Sequence, residues 1–100
     1  MSFSTQKSGD GILTINIQGR FDFSTHLEFR RCYEALSDEP ACYRLDMGET
    51  TYLDSSALGM LLLLRDRAGG DKAAIEIINC NPDVKKILTI SNFQQLFRIH

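Results

Sequence analysis

The chain has 100 residues, 43% of them apolar, with two prolines and a formal net charge of −2. That length holds one domain, and the composition excludes a disordered chain. With 11 basic against 13 acidic side chains, no cationic surplus is left to release counterions from nucleic acid, and a chain this size has little room for a deep enclosed active site.

A first strand is expected near Ser2 to Gln6, turning through Gly9-Asp10-Gly11 into a second over Gly11–Gln18. There Leu13, Ile15 and Ile17 alternate with Thr14, Asn16 and Gln18, the pattern of a half-buried strand. Gly19 ends that strand and Arg20-Phe21-Asp22 forms a loop. Thr25 with Glu28 three residues on reads as a capping box, opening a helix whose Phe29, Cys32, Tyr33 and Leu36 share one face. Ser37-Asp38-Glu39-Pro40 stops it. Cys42–Met47 is the next strand, followed by a polar connection, Gly48-Glu49-Thr50-Thr51, then Tyr52-Leu53 and Asp54-Ser55-Ser56. A helix over Ala57–Arg67 ends at Gly69-Gly70. Ala73–Ile78 is a strand. Asn81 followed by Pro82 caps a helix reaching about Thr89. Ser91 or Asn92 caps a short turn over Phe93–Leu96, and Phe97–Ile99 finishes as a strand. The order β-β-α-β-α-β-α with a short ending predicts an α/β domain: a mostly parallel or mixed sheet of 4–5 strands with helices packed on one face.

Three widely spaced cysteines, Cys32, Cys42 and Cys80, form no CxxC pair and stand at no ligand spacing from His26 or His100. Zinc and dithiol chemistry are therefore not expected, and the thiols read as small buried hydrophobes in a reducing compartment. The N-terminus has no apolar signal core. The longest apolar run, Ala57–Leu64, is eight residues counting Gly59, far short of the roughly 20 a membrane span needs. A cytoplasmic chain is expected.

The informative stretch is Leu53-Asp54-Ser55-Ser56-Ala57-Leu58-Gly59 with the run Met60–Leu64 behind it. Oxygen-bearing side chains just before a helix accept from its free N–H groups, and the positive dipole end tolerates an anion. A serine there serves as a cap, a phosphate acceptor or a nucleophile. The last needs an adjacent base, and no G-x-S-x-G or Ser-x-x-Lys pattern supplies one. Gly69-Gly70-Asp71-Lys72 lacks phosphate-loop spacing. Five consecutive large apolar residues are also wider than one core-facing stripe. Leu58 or Leu62 is expected at the core edge or in solvent, as partner surface or as a contact within the domain or a homodimer.

These residues resemble the STAS domain family, specifically its stand-alone anti-sigma factor antagonists. Leu53–Gly59 is similar to that family's Asp-Ser-Ser/Thr-Gly-Leu-Gly segment, with Ala57 where a glycine is usual. Gly19-Arg20-Phe21-Asp22, Leu45-Asp46-Met47 and the stretch from Asn81-Pro82 to Phe93 match further segments, so the likeness spans nearly the whole chain. The resemblance implies a binding protein without catalytic residue, metal or cofactor. An anti-sigma factor with serine kinase activity would phosphorylate Ser55, with Ser56 ranked behind it, and a PP2C-like phosphatase would reverse the mark. The unphosphorylated form would hold the anti-sigma factor or another regulatory enzyme, including ones governing motility and biofilm formation. Asp22, Asp54, Ser56, Ala57, Leu58 and Met60 would form the partner face. Phosphate beside Asp22, Asp54 and Glu49 would release an acidic or tightly packed partner by lost complementarity. The alternative is a constitutive interaction module in which the serines only cap the helix.

Overall fold

The computed structural model describes residues 3–34 and 36–100. Strands β1 (Phe3–Lys7) and β2 (Ile12–Phe21) form the opening hairpin, and α1 (His26–Glu34), β3 (Cys42–Leu53), α2 (Ser55–Arg67), β4 (Ile75–Ile78), α3 (Pro82–Ile90) and β5 (Arg98–Ile99) follow. The five strands lie side by side in chain order, β1 antiparallel to β2 and every later pair parallel. This order decides where the helices go. Right-handed crossovers that always step in the same direction across a sheet place every helix on the same face.

That face carries Leu13, Ile15 and Ile17 from β2, Tyr43, Leu45 and Met47 from β3, and Ile75 and Ile77 from β4. They are buried together with Phe29 of α1, Leu61 and Leu64 of α2, and Val84 and Leu88 of α3. Phe3, Phe21 and Phe29 pack with ring centroids 5.0 to 5.9 Å apart and close the core between β1 and α1. The opposite face stays polar. Thr14, Arg44, Glu76 and Arg98 stand in one register row across it, and Arg44 is ion-paired with Glu76.

The two central strands run further than their patterns predict. Gly19, Arg20 and Phe21 belong to β2, and Gly48–Thr51 belongs to β3. Their pairing survives because β3 absorbs extra residues at two bulges, between Asn16 and Gln18 and between Gly19 and Arg20 of its partner. Gly19 sits at φ +75° there, a conformation glycine takes without steric cost. Thr50, 1% exposed, locks the irregular stretch by donating its hydroxyl to the Ile17 carbonyl at 2.8 Å.

Other boundaries move less. The α1 start is set by Asp22, which caps a 3-10 turn over Phe23–Thr25 in a reciprocal box, so Thr25 answers the cap and Glu28 has no part in it. Ser55 and Ser56 open α2 instead of preceding it. Gly70–Lys72 forms a 3-10 turn before β4, which starts at Ile75 rather than Ala73. Leu36 packs at the core's edge beyond the end of α1. Ser2, part of the expected first strand, lies outside the described residues.

Thr50→Val should cost about 1–3 kcal/mol, because it leaves the Ile17 carbonyl buried without its side-chain donor. Thr50→Ser should recover most of the loss. Urea denaturation of the three proteins checks this, and equal midpoints for wild type and Thr50→Val would refute the lock.

Candidate functional site

Phe21 and Leu53 are paired partners at the ends of β2 and β3. The next residue in each strand is therefore an aspartate at the same sheet end, and each caps the helical segment that follows. Asp22 accepts from the Ser24 backbone N–H at 3.0 Å, while its own N–H donates to Thr25 Oγ1 at 3.1 Å. Asp54 accepts from the Ala57 N–H at 3.0 Å. On the next strand along, Asn81 caps α3 through the Val84 N–H at 2.8 Å and donates its amide to the Thr50 carbonyl at 2.9 Å. Three parallel strands thus deliver three capped turns to one rim, the end of an α/β sheet where binding sites concentrate.

The cap of α2 is the aspartate, and neither serine serves in that role. Ser55 is exposed at the first helical position and Ser56 is half-buried at the second. Among the described residues, neither hydroxyl makes a hydrogen bond. Ala57 is fully buried and Met60 is 8% exposed. The methyl group of Ala57 thus faces the core and is closed to a partner, while Met60 shows only its edge. Leu58 is partly buried against the core, whereas Leu62 and Leu63 are 39% and 63% exposed.

Asp22 is held ionised. Hydrogen bonds from Ser24 first, and the Arg20 guanidinium second, push its carboxyl below the usual value against the opposing effect of desolvation. Arg20 Nε lies 3.1 Å from the carboxylate, and its guanidinium sits 4.1 Å above the Tyr52 ring centroid. Arg20, Tyr52, Asp22 and Asp54 therefore belong to one end of the β2–β3 pair.

Beside this rim is an apolar groove of about 320 Å³ lined by Phe23, His26, Ser56, Gly59, Met60 and Leu63. Phe23, 68% exposed, stacks on His26 at 5.0 Å with the rings 15° apart. The His26 Nδ1 is 3.0 Å from the Phe23 carbonyl, and since a carbonyl only accepts, Nδ1 carries the proton and Nε2 is the free nitrogen. Phe23 and Leu63 are the site residues that the sequence pattern did not single out. Helical spacing sets Leu63 on the flank of the inward arc of Ala57, Met60, Leu61 and Leu64, at the same offset as Leu58 on the other side, so the pattern could mark both as flanking positions without telling which is exposed.

The three cysteines are half-buried rather than buried. Desolvation raises all three thiols, that of Cys32 to about 11, so they stay protonated. Among the described residues no group of three His, Cys, Asp or Glu side chains could hold a metal, and no helix is long and apolar enough to cross a membrane.

The family described as Mlab, STAS domain matches residues 4–98. The chain belongs to the STAS domain family. A STAS-domain containing protein of Pseudomonas aeruginosa (strain UCBPP-PA14) is 58% identical over 100 residues, covering 99% of each chain. Among solved structures, an anti-sigma factor antagonist from Mycobacterium paratuberculosis is 18% identical with a TM-score of 0.83, covering 99% of this chain and 86% of that one. The anti-sigma factor antagonist SpoIIAA in its unphosphorylated form is 15% identical with a TM-score of 0.78, covering 98% and 87%. The Bacillus cell fate determinant SpoIIAA in its phosphorylated form is 14% identical with a TM-score of 0.74, covering 98% and 90%. The STAS fold is thereby shown, and in it the Asp54-Ser55-Ser56 segment opens the helix that leaves the second parallel strand.

Two outcomes follow for the caps. Asp54→Ala should lower stability by about 1 kcal/mol and Asp54→Asn should be near neutral, since asparagine caps as well as aspartate; thermal melts decide it. The lowered Asp22 value means its ionised form is favoured on folding. That contribution is present above the ordinary carboxylate value of 3.8 and is lost as pH falls through the lower folded value. Carboxyl NMR titration should therefore place Asp22 below 3.8 and show it rising in Ser24→Ala. An unchanged midpoint in that variant would remove Ser24 as the main cause.

Proposed function

We propose that the chain is a phosphorylation-controlled partner-switching protein of the anti-sigma factor antagonist kind, with Ser55 as the phosphoryl acceptor. One observation carries this reading: Asp54 caps α2, which leaves the adjacent, exposed Ser55 hydroxyl free of structural duty at the rim. Ser56, half-buried on the groove side, ranks behind it. The fold shared with an antagonist solved in phosphorylated and unphosphorylated forms supports the same assignment.

In the proposed cycle, the unphosphorylated chain holds an anti-sigma factor with serine kinase activity, or another regulatory enzyme. Asp22, Asp54, Ser56, Leu58 and the edge of Met60 contribute to the surface, joined by Phe23 and Leu63. The kinase transfers the γ-phosphoryl group of ATP to Ser55 Oγ, and a PP2C-like phosphatase removes it. Phosphate adds about −1.5 to −2 charges to a chain whose net charge is −2. It would do so next to two carboxylates, at a helix N-terminus that tolerates an anion. The domain accommodates the charge and the bound partner does not, so release needs no refolding.

A second reading, a constitutive module with no phospho-switch, draws on the groove at Phe23 and Leu63, which can bury a partner whatever the state of Ser55. Intact mass of the protein isolated from its own cells separates the two. The switch predicts a species about 80 Da heavier in wild type that is missing in Ser55→Ala. A heavier species surviving in Ser55→Ala would overturn the assignment and point to Ser56. None in wild type under any growth condition favours the constitutive module. Ser55→Asp should also weaken capture of the partner that wild type retains by about tenfold or more.

A further inference from the structure

The two edges of the sheet are not alike. At one edge β5 has two residues, too few to template another strand. At the other, β1 has five and pairs with β2 without a bulge. Edge strands are ordinarily shortened, bulged, or broken by proline and charge to prevent strand addition. Among these devices β1 has only a lysine, Lys7, at its last position.

The hairpin decides which backbone groups point outward. The Ser8 N–H donates to the Ile12 carbonyl at 2.9 Å, so these residues close the hairpin as a hydrogen-bonded pair. Hydrogen-bonded and non-hydrogen-bonded pairs alternate along an antiparallel ladder. With Lys7 opposite Leu13 and the earlier residues in step, Ser4 and Gln6 bond to β2. Phe3, Thr5 and Lys7 direct their N–H and C=O groups away from the sheet. A row so spaced is self-complementary. When a second β1 lies antiparallel to it with Thr5 opposite Thr5, Phe3 faces the second copy's Lys7, and every outward group of the three residues has a partner. The two-fold axis then stands perpendicular to the sheet, and both copies carry their helices on the same side.

The side chains point to the same register. A depression of about 270 Å³ lies between Phe3, Ser4 and Thr5 on β1 and Glu28, Arg31 and Cys32 on α1. Glu28 Oε2 is shielded from water and, among the described residues, has no donor. Arg31 lines the same depression yet forms no ion pair with it, and Lys7 forms none with any described carboxylate. A shielded carboxylate oxygen without a donor is unfavourable, and the Thr5-centred register brings one. Lys7 lies on the helix side of the sheet, as Phe3 and Thr5 do, because their partners Leu13, Ile17 and Ile15 are core residues. Placed opposite Phe3, the second copy's Lys7 arrives beside Glu28, and the two-fold repeats the contact.

We infer that two copies of this chain join through β1, in an antiparallel seam centred on Thr5 that continues the sheet and sets Lys7 of each copy against Glu28 of the other. Across the strands no like charges oppose, since Ser4 meets Gln6 and Phe3 meets Lys7. Arg31 is the one cation near its own counterpart, and it is exposed, where water and salt screen the repulsion. Five residues a side make a small interface, so the dimer is reversible. Ser55 follows β3, two strands from the seam, so the seam leaves both rims open and turns them to opposite ends.

Sedimentation equilibrium of the full chain from about 10 μM to about 1 mM should show a monomer–dimer equilibrium. Thr5→Pro removes an outward N–H at the axis and none that β2 uses, so it should weaken association about tenfold or more. Lys7→Glu and Glu28→Lys should each do the same, and the two combined should restore wild-type association. Should Thr5→Pro fail to fold, this charge exchange carries the test. In hydrogen exchange, the amides of Phe3, Thr5 and Lys7 should slow as concentration rises, whereas those of Ser4 and Gln6 are already held by β2. A chain still monomeric at about 1 mM would overturn the inference and leave the edge to water or to a strand of another protein. So would a dimer that keeps its affinity in Lys7→Glu but dissociates in Leu63→Glu, which would move the contact to the groove at α2. No partner or phosphate enters the assay, so its result and the acceptor role of Ser55 stand or fall separately.

Discussion

The pairing of β2 with β3 governs the functional end of the molecule. β3 takes up extra residues at two bulges and still arrives with Leu53 opposite Phe21. Both side chains enter the core, so the next residue on each strand leaves the sheet at the same level. Those residues are Asp22 and Asp54, and both become caps. A shift of one residue would turn Leu53 toward the opposite face and take the start of α2 out of line with the turn at Phe23. The Thr50 hydroxyl on the Ile17 carbonyl holds the irregular stretch where such a slip would begin. The Asn81 amide on the Thr50 carbonyl ties the start of α3 to the same point.

On the proposed reading, this arrangement separates holding the helix from carrying a signal. Had a serine been the cap of α2, modifying it would have traded helix stability against partner binding. With Asp54 as cap, the Ser55 hydroxyl can change its chemistry while the helix start keeps its hydrogen bond. The N–H groups of the first turn have no carbonyls inside the helix, so negative charge placed there meets a favourable local field. The carboxylates of Asp22 and Asp54 are already engaged by Ser24, Arg20 and the Ala57 N–H. An added phosphate would therefore act mainly on whatever lies across the surface.

Much of this was legible in the sequence, because the signals are local. Alternation marked Leu13–Ile17 and Tyr43–Met47 as the buried sides of their strands, and Asn81-Pro82 marked the α3 start. The sequential strand order was not legible, because right-handed crossovers between alternating strands and helices also build sheets wound in both directions. What stayed hidden was set by distant partners. Gly48-Glu49-Thr50-Thr51 has turn composition and became strand because β2 lies alongside to pair with it. Asp22 outcompeted Thr25 as cap because the strand carries its backbone, extended, directly into the turn. Phe23 falls outside the α1 apolar stripe, so nothing local distinguished a surface aromatic from a loop residue. Its place in the groove depends on α2, 32 residues further on at Ser55.

The two faces of the sheet divide the remaining roles. One-sided crossovers leave the far face without helices, and it answers with a row of polar residues and the Arg44–Glu76 pair, which needs no partner to be soluble. The helical face is different. There α2 must cover the sheet with Ala57, Met60, Leu61 and Leu64, yet it also presents Leu62 and Leu63 outward. Burial cannot explain the outward leucines, and stability cannot explain Gly59 among them. Both features fit the proposed reading of α2 as a partner surface. A domain built to alternate between covered and uncovered states gains from a helix that is firmly capped, apolar on both sides and open at its glycine.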